Sequence, residues 1–203
     1  MHKRGQYRMM PLMEIRELSE EQNFHVFGYA TTFEPYPYFK IGNVQYYEHF
    51  SRDCFDDCDI NADVIMQFDH RGRVFARTSN TTLHLSLDDH GLMIDADLGR
   101  TELARQLYED IKTGMITKMS WGFLPKIDPA FDRTTMTFEW QKGAIDKILD
   151  VSAVSMPADG DTSISARGYA DLDEVIQRAL RNAQSGEAAD ADIRLRMRMR
   201  SRK

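Results

Sequence analysis

Two cysteines, Cys54 and Cys58, are all that the 203 residues contain. That excludes a disulfide-built scaffold, which in small secreted domains needs several pairs at set spacings. No run approaches the roughly 20 apolar residues that cross a bilayer. The basic start Met1-His2-Lys3-Arg4 is followed by polar Gln6 and charged Arg8, where a signal peptide would carry its apolar core. The chain therefore reads as intracellular and reduced, with no membrane segment. Positive charge is also in short supply, the formal net charge being -6. It is unevenly placed: residues 1–165 hold 17 basic and 26 acidic side chains, and residues 166–203 hold 9 and 6. A body so balanced has no general basic surface for nucleic acid.

What is present suits one domain with an appendage, since 42% hydrophobic residues is enough for an ordinary core. Val26 to Phe33 is rich in β-favouring residues and stops at Glu34-Pro35-Tyr36-Pro37, read as an irregular loop. A second aromatic run covers Val44 to Phe50, and the acidic stretch to Asp63 holds a turn or one short helix. Val64 to His70 alternates, with His70 at the strand end before a turn at Arg71-Gly72-Arg73. Leu83 to Leu87 and Leu92 to Leu98 alternate around Asp88-Asp89-His90-Gly91, which predicts a hairpin with one buried face. After Gly99 the period changes: Leu103, Leu107 and Ile111, with Ala104 beside them, predict a helix of about three turns ending at Gly114. Strands are expected again over Ile116 to Leu124, Thr134 to Trp140 and Lys147 to Met156, and Pro157-Ala158-Asp159-Gly160 breaks the last. From Asp171, an apolar stripe of Leu172, Val175, Ile176, Ala179 and Leu180 predicts a second helix. The resulting division is a flexible N-terminus over 1–10, a body over 11–165, an amphipathic helix region over 166–185, and a linker with an arginine-rich tail over 186–203.

Serine attacks a carbonyl only when a base takes its proton, and the base works best when a third group fixes its tautomer. His70 suits the base because it stands at the end of an apolar strand beside a turn, held yet open to a cleft; by pattern alone it reads more readily as a surface histidine in a turn. Ser120 lies in Lys118-Met119-Ser120-Trp121-Gly122-Phe123, where Gly122 lets the backbone approach a substrate closely and nearby N–H groups can face an oxyanion. It also reads as a serine on the polar side of a strand. Asp69 adjoins His70, but neighbours on a strand point to opposite faces, so it reaches the imidazole only if the backbone bends.

These residues carry a resemblance. Val26-Phe27-Gly28-Tyr29-Ala30 with Phe33, then Phe68-Asp69-His70 with Arg77, then Gly91-Leu92, then the helix with Gly114, then Met119-Ser120-Trp121-Gly122-Phe123, and finally Asp150 to Ala158 stand in one order. In that order the chain resembles the prohead (procapsid maturation) serine proteases of tailed phages, distantly related to the herpesvirus maturation protease. The resemblance covers about residues 11 to 165. It implies a mainly β fold with surrounding helices, a herpesvirus-protease-like β-barrel. It implies a serine endopeptidase with Ser120 as nucleophile, His70 as base and Asp150 as third member. Arg77, the backbone near Trp121 and Gly122, and Arg73 become oxyanion or substrate-site candidates. The family often has glutamate at the position of Asp150, proline near Ala153 and glycine at Ala76.

The resemblance further implies that the substrates are a scaffold protein or the scaffolding segment of the major capsid protein, cleaved inside an assembling procapsid in the host cell cytoplasm. Self-processing in the linker around Ala183 to Ala191 and a homo-oligomer are compatible with it; no cofactor, metal, membrane or specific nucleic acid is expected. Two other classes compete. A zinc site would use His49, Cys54, Cys58 and His70, but the Cys-x3-Cys spacing is loose and no second pair exists. A non-enzymatic capsid-assembly or binding module would act through Arg194 to Lys203, whose positive side chains give salt-dependent attraction to phosphates or an acidic surface.

Overall fold

The computed structural model describes residues 6–11, 13–14, 24–41 and 43–155. The strands, of which β3 and β9 alternate most clearly, are β1 (Gln6–Pro11), β2 (Met13–Glu14), β3 (His25–Thr32), β4 (Tyr36–Ile41), β5 (Val44–Phe50), β6 (Ile65–Phe68), β7 (Arg71–Arg77), β8 (Leu83–Leu87) and β9 (Gly91–Asp97). Helix α1 (Glu102–Lys112) follows, and then β10 (Lys118–Pro125), β11 (Ala130–Asp132), β12 (Thr137–Trp140) and β13 (Ile145–Val154).

The strands make three sheets. The largest runs β1-β10-β13-β6-β7, the second β11-β12-β5-β4, and the third β2-β3-β9-β8. Pairing is antiparallel except for β13 beside β6 and β12 beside β5, which are parallel. The core lies where the sheets face each other. Phe50 and Trp140 stack there, with Trp121 and Phe123 beside them, all four at 0% exposure.

The expected herpesvirus-protease-like β-barrel with surrounding helices is not what forms. Closure requires the first and last strands of a sheet to pair, yet among the described residues each sheet keeps two edges: β1 and β7, β11 and β4, β2 and β8. The physical reason lies partly in the link after β7. A 3-10 turn at Thr78–Asn80, followed by Thr81 in the left-handed region (φ 64), carries the chain out of the first sheet before β8 begins the third. The fold is mixed α/β, dominated by antiparallel and mixed sheets, with one α-helix among the described residues.

The β8–β9 hairpin matches its alternation: Leu83, Leu85, Leu92, Ile94 and Ala96 are buried while His84 is exposed. Gly91 is required for close approach, because a Cβ there would stand 2.1 Å from the Thr31 carbonyl oxygen on β3. Helix α1 starts on Thr101, whose side chain accepts from the Ala104 amide at 3.1 Å, and it ends before Gly114 at φ +75. Its buried face is Ala104, Leu107 and Ile111, and Leu103 is 44% exposed. Leu103 belongs to the edge of the stripe, since four residues overshoot a helical turn by about 40°.

Two other local expectations shift. The loop expected at Glu34 to Pro37 gives way to β4 from Tyr36, and the turn expected at Arg71-Gly72-Arg73 is strand β7, the reversal falling at Asp69-His70. Five residues of the segment taken as the N-terminal extension, 6–10, belong to β1. The Pro157 to Gly160 breaker, the second helix and the arginine-rich tail lie outside the described residues. Among the described residues no helix is long and apolar enough to cross a membrane.

Candidate active site

The site begins with a two-residue reversal. Phe68 on β6 faces Arg71 on β7, and Asp69 and His70 between them both have left-handed backbones, φ 49 and 56. Such a pair is what a type I′ hairpin turn demands, and Asp and His tolerate it better than most residues. A strained turn persists when its surroundings over-determine it. Here the Asp69 amide donates to the Ala153 carbonyl at 3.0 Å, and the Asp69 carboxylate accepts from the Ser155 amide and hydroxyl, each at 2.9 Å. Asp69 thus secures the turn to the end of β13.

Beside β6 lies β13, and beside β13 lies β10. Ser120 on β10 is in register with Ser152 on β13, and Gly122 with Asp150. Alternation therefore puts Ser120, Ser152 and Asp150 on one face of the sheet and Trp121 and Val151 on the other, in the core. His70 reaches over that face from the turn. Its Nδ1 lies 2.6 Å from Asp150 Oδ2 and its Nε2 lies 2.5 Å from Ser120 Oγ. A carboxylate only accepts, so Nδ1 carries the proton in the neutral ring and Nε2 is left to accept from the serine hydroxyl. The His70 side chain is 20% exposed, whereas Asp150 and Ser120 are buried. One imidazole therefore joins residues 50 and 80 positions away from it.

The hydroxyl has a second acceptor. Ser120 Oγ is 2.8 Å from the main-chain oxygen of Arg8 on β1, the strand that pairs with β10 on its other edge. The single hydrogen serves one acceptor at a time. Directed at Nε2 it is ready for transfer; directed at the Arg8 carbonyl it is withheld.

The remaining candidates are placed as follows. Arg77 pairs with Ile65, and Ile65 with Asp150, so Arg77 stands in the Asp150 row of the sheet two strands away. Its Nε is 3.0 Å from Asp63 Oδ1, both side chains being about half exposed. Arg73 is exposed on β7. Trp121 buries its ring against Phe50, Phe55 and Phe123. Trp121 and Gly122 hold positions on a strand paired along both edges, with a register shift against β13 just after Gly122. His49 bonds the Phe33 carbonyl through Nε2 at 3.1 Å. Burial pushes the Cys54 thiol well up, and pushes the Cys58 thiol up to about 11. Among the described residues no three His, Cys, Asp or Glu side chains gather as metal ligands.

A serine hydroxyl, an imidazole between it and a carboxylate, and burial of the outer two form the unit that acyl transfer to serine requires, recognised by geometry and not by chain order. The sequence model of the Caudovirus prohead serine proteases matches residues 12–175. The chain belongs to that family. It is a serine protease of capsid maturation, and membership gives it a procapsid context with capsid or scaffold proteins as partners. No curated protein and no solved structure matches it. The matched span contains His70, Ser120 and Asp150; β1, with the Arg8 carbonyl, precedes it.

Sequence reasoning missed three residues around the prohead protease's candidate site. Ser152 was legible in principle, because a strand places positions two apart on one face. Arg8 and Glu48, whose pairing at 2.6 Å anchors β1, are 40 positions apart and carry no local signal.

Proposed function

We propose that Ser120 is the nucleophile, His70 the general base and Asp150 the group that orients His70, in an endopeptidase acting on scaffold protein or on the scaffolding segment of the major capsid protein. The observation that carries this reading is the His70 ring, which meets Ser120 Oγ with one nitrogen and Asp150 with the other. As Oγ attacks the peptide carbonyl carbon, its proton passes to Nε2. The C–N bond then breaks, the leaving amine takes that proton, and water hydrolyses the acyl-serine by the same route. Arg77 in the Asp150 row, and the amides at the register shift beyond Gly122, are the groups this reading assigns to the developing oxyanion or the substrate. Strand amides spared from a ladder by such an irregularity suit that task.

In this reading the protease domain spans 11–165, with β1 completing its front edge. The amphipathic region 166–185 and the linker and tail 186–203 form an appendage, and the linker is the site of self-processing. Co-expression with the capsid and scaffold proteins tests the whole. Ser120→Ala is expected to fold as the wild type by circular dichroism and to leave scaffold uncut. Intact masses after incubation should show shortened wild-type chain and full-length variant. Unchanged scaffold cleavage by Ser120→Ala would remove Ser120 from its role.

A further inference from the structure

Ser152 is at 0% exposure, and its hydroxyl donates to Asp150 Oδ2 at 2.5 Å. That same oxygen meets His70 Nδ1 at 2.6 Å. We infer that Ser152 is a positioning residue of the prohead protease, holding the Asp150 carboxylate in the one rotamer that presents Oδ2 to His70. The inference deepens the assignment of His70, Ser120 and Asp150 and rests on it.

The terminal torsion of an aspartate is broad and nearly two-fold, so an unrestrained carboxylate offers the imidazole either oxygen and a range of angles. Ser152 is two residues further along β13 and on the same face, in register with Ser120 across the ladder. Two donors on Oδ2, one from the strand and one from the ring, remove the free rotation. A hydroxyl without exposure must find an acceptor, and the acceptor here is the atom that sets the imidazole's tautomer. Ser152 acts through Asp150, and so its loss should slow the proton transfer without weakening the capture of substrate.

The test uses the full chain co-expressed with its capsid and scaffold proteins, read by scaffold cleavage and by labelling with a fluorophosphonate. In that labelling the Ser120 Oγ–P bond forms, fluoride leaves, and the serine proton goes to His70. Ser152→Ala is expected to lower the limiting labelling rate about ten- to a hundredfold, the scale of one hydrogen bond to a charged group, with the half-saturating probe concentration unchanged. Ser152→Thr, which keeps the hydroxyl, should recover most of the rate. In an Asp150→Asn background, adding Ser152→Ala should change the rate less than about twofold, because residues acting as one unit are not additive. Should Ser152→Ala lose its fold by circular dichroism, Ser152→Cys, a weaker donor of similar size, carries the same expectation at smaller amplitude. A folded Ser152→Ala that labels at the wild-type rate, or one whose loss repeats in full on Asp150→Asn, overturns the inference. Labelling that survives Ser120→Ala instead overturns the nucleophile assignment beneath it.

Discussion

At the scale of single residues, the most consequential feature beside the His70, Ser120 and Asp150 cluster is Glu48. It has no exposure and collects three donors: Arg8 Nε at 2.6 Å, Tyr36 hydroxyl at 2.5 Å and Trp140 Nε1 at 2.7 Å. Burial alone would lower the Arg8 pKa, yet the Glu48 charge against it holds the guanidinium above its ordinary value. The same burial, with the Glu48 charge, keeps the Tyr36 hydroxyl protonated well beyond its usual range. The Arg8 guanidinium also lies over the Tyr38 ring at 4.7 Å. A buried pair adds little net stability, but removing one member strands the other, at a cost of about 3–5 kcal/mol. Glu48→Gln should therefore lower the unfolding free energy by about that amount in urea titrations. The double change Arg8→Met with Glu48→Gln should recover more than half of the loss, because the new amide oxygen still accepts from Trp140 and no charge stays buried. Equal losses in the single and double variants would refute the pairing as the source. The consequence reaches the site, since Arg8 also offers its carbonyl to Ser120.

At the scale of elements, the β6–β7 turn decides where the imidazole goes. Two contacts tie it to β13: the Asp69 amide on the Ala153 carbonyl, and the Asp69 carboxylate on Ser155 just past the strand end, 86 positions away. Asp69→Ala removes both acceptor bonds and puts a residue less suited to the left-handed region at φ 49. The expected loss is about 1–2 kcal/mol of stability, from the hydrogen bonds and the strained backbone together. Scaffold cleavage, compared at a temperature where both chains are folded, should slow as well. Asp69→Asn, which tolerates the backbone and keeps one acceptor oxygen, should retain most of both. Full activity in Asp69→Ala would mean that the turn is held by its ladder alone. This turn also shows why sequence reading stops where it does. Gly72 attracted the turn to Arg71-Gly72-Arg73, and it does adopt φ +79, but within β7. The true reversal uses two residues whose left-handed backbones are enforced from β13, which no local signal announces. Helix α1 was legible because cap, stripe and terminal glycine all act within a few residues.

At the scale of the whole molecule, alternation and β-favouring runs located β3, β5, β6, β8, β9, β10, β12 and β13 but not β1, β2, β4, β7 or β11, and outside the β8–β9 hairpin they left the partners of every strand open. A strand records which of its faces is buried, not which neighbour it meets. The parallel contact of β13 with β6 and the antiparallel contact of β13 with β10 together build the site, and both join segments far apart in the chain. His70 and Ser120 were accordingly named through motif order, and the open sheets differ from the barrel that the family likeness suggested. His70, Ser120, Asp150 and the Glu48 cluster all fall between residues 8 and 150. The charge of residues 186–203 is arginine-rich, against an acidic body. If chemistry and appendage are separable, removing 186–203 should leave the circular dichroism spectrum and the fluorophosphonate labelling of Ser120 within about twofold of the full chain. Scaffold cleavage should fall further than labelling, and in purified reactions that gap should narrow with added salt, because salt screens the attraction that the tail supplies. A truncated chain that loses labelling and cleavage together would instead make the tail part of the catalytic body.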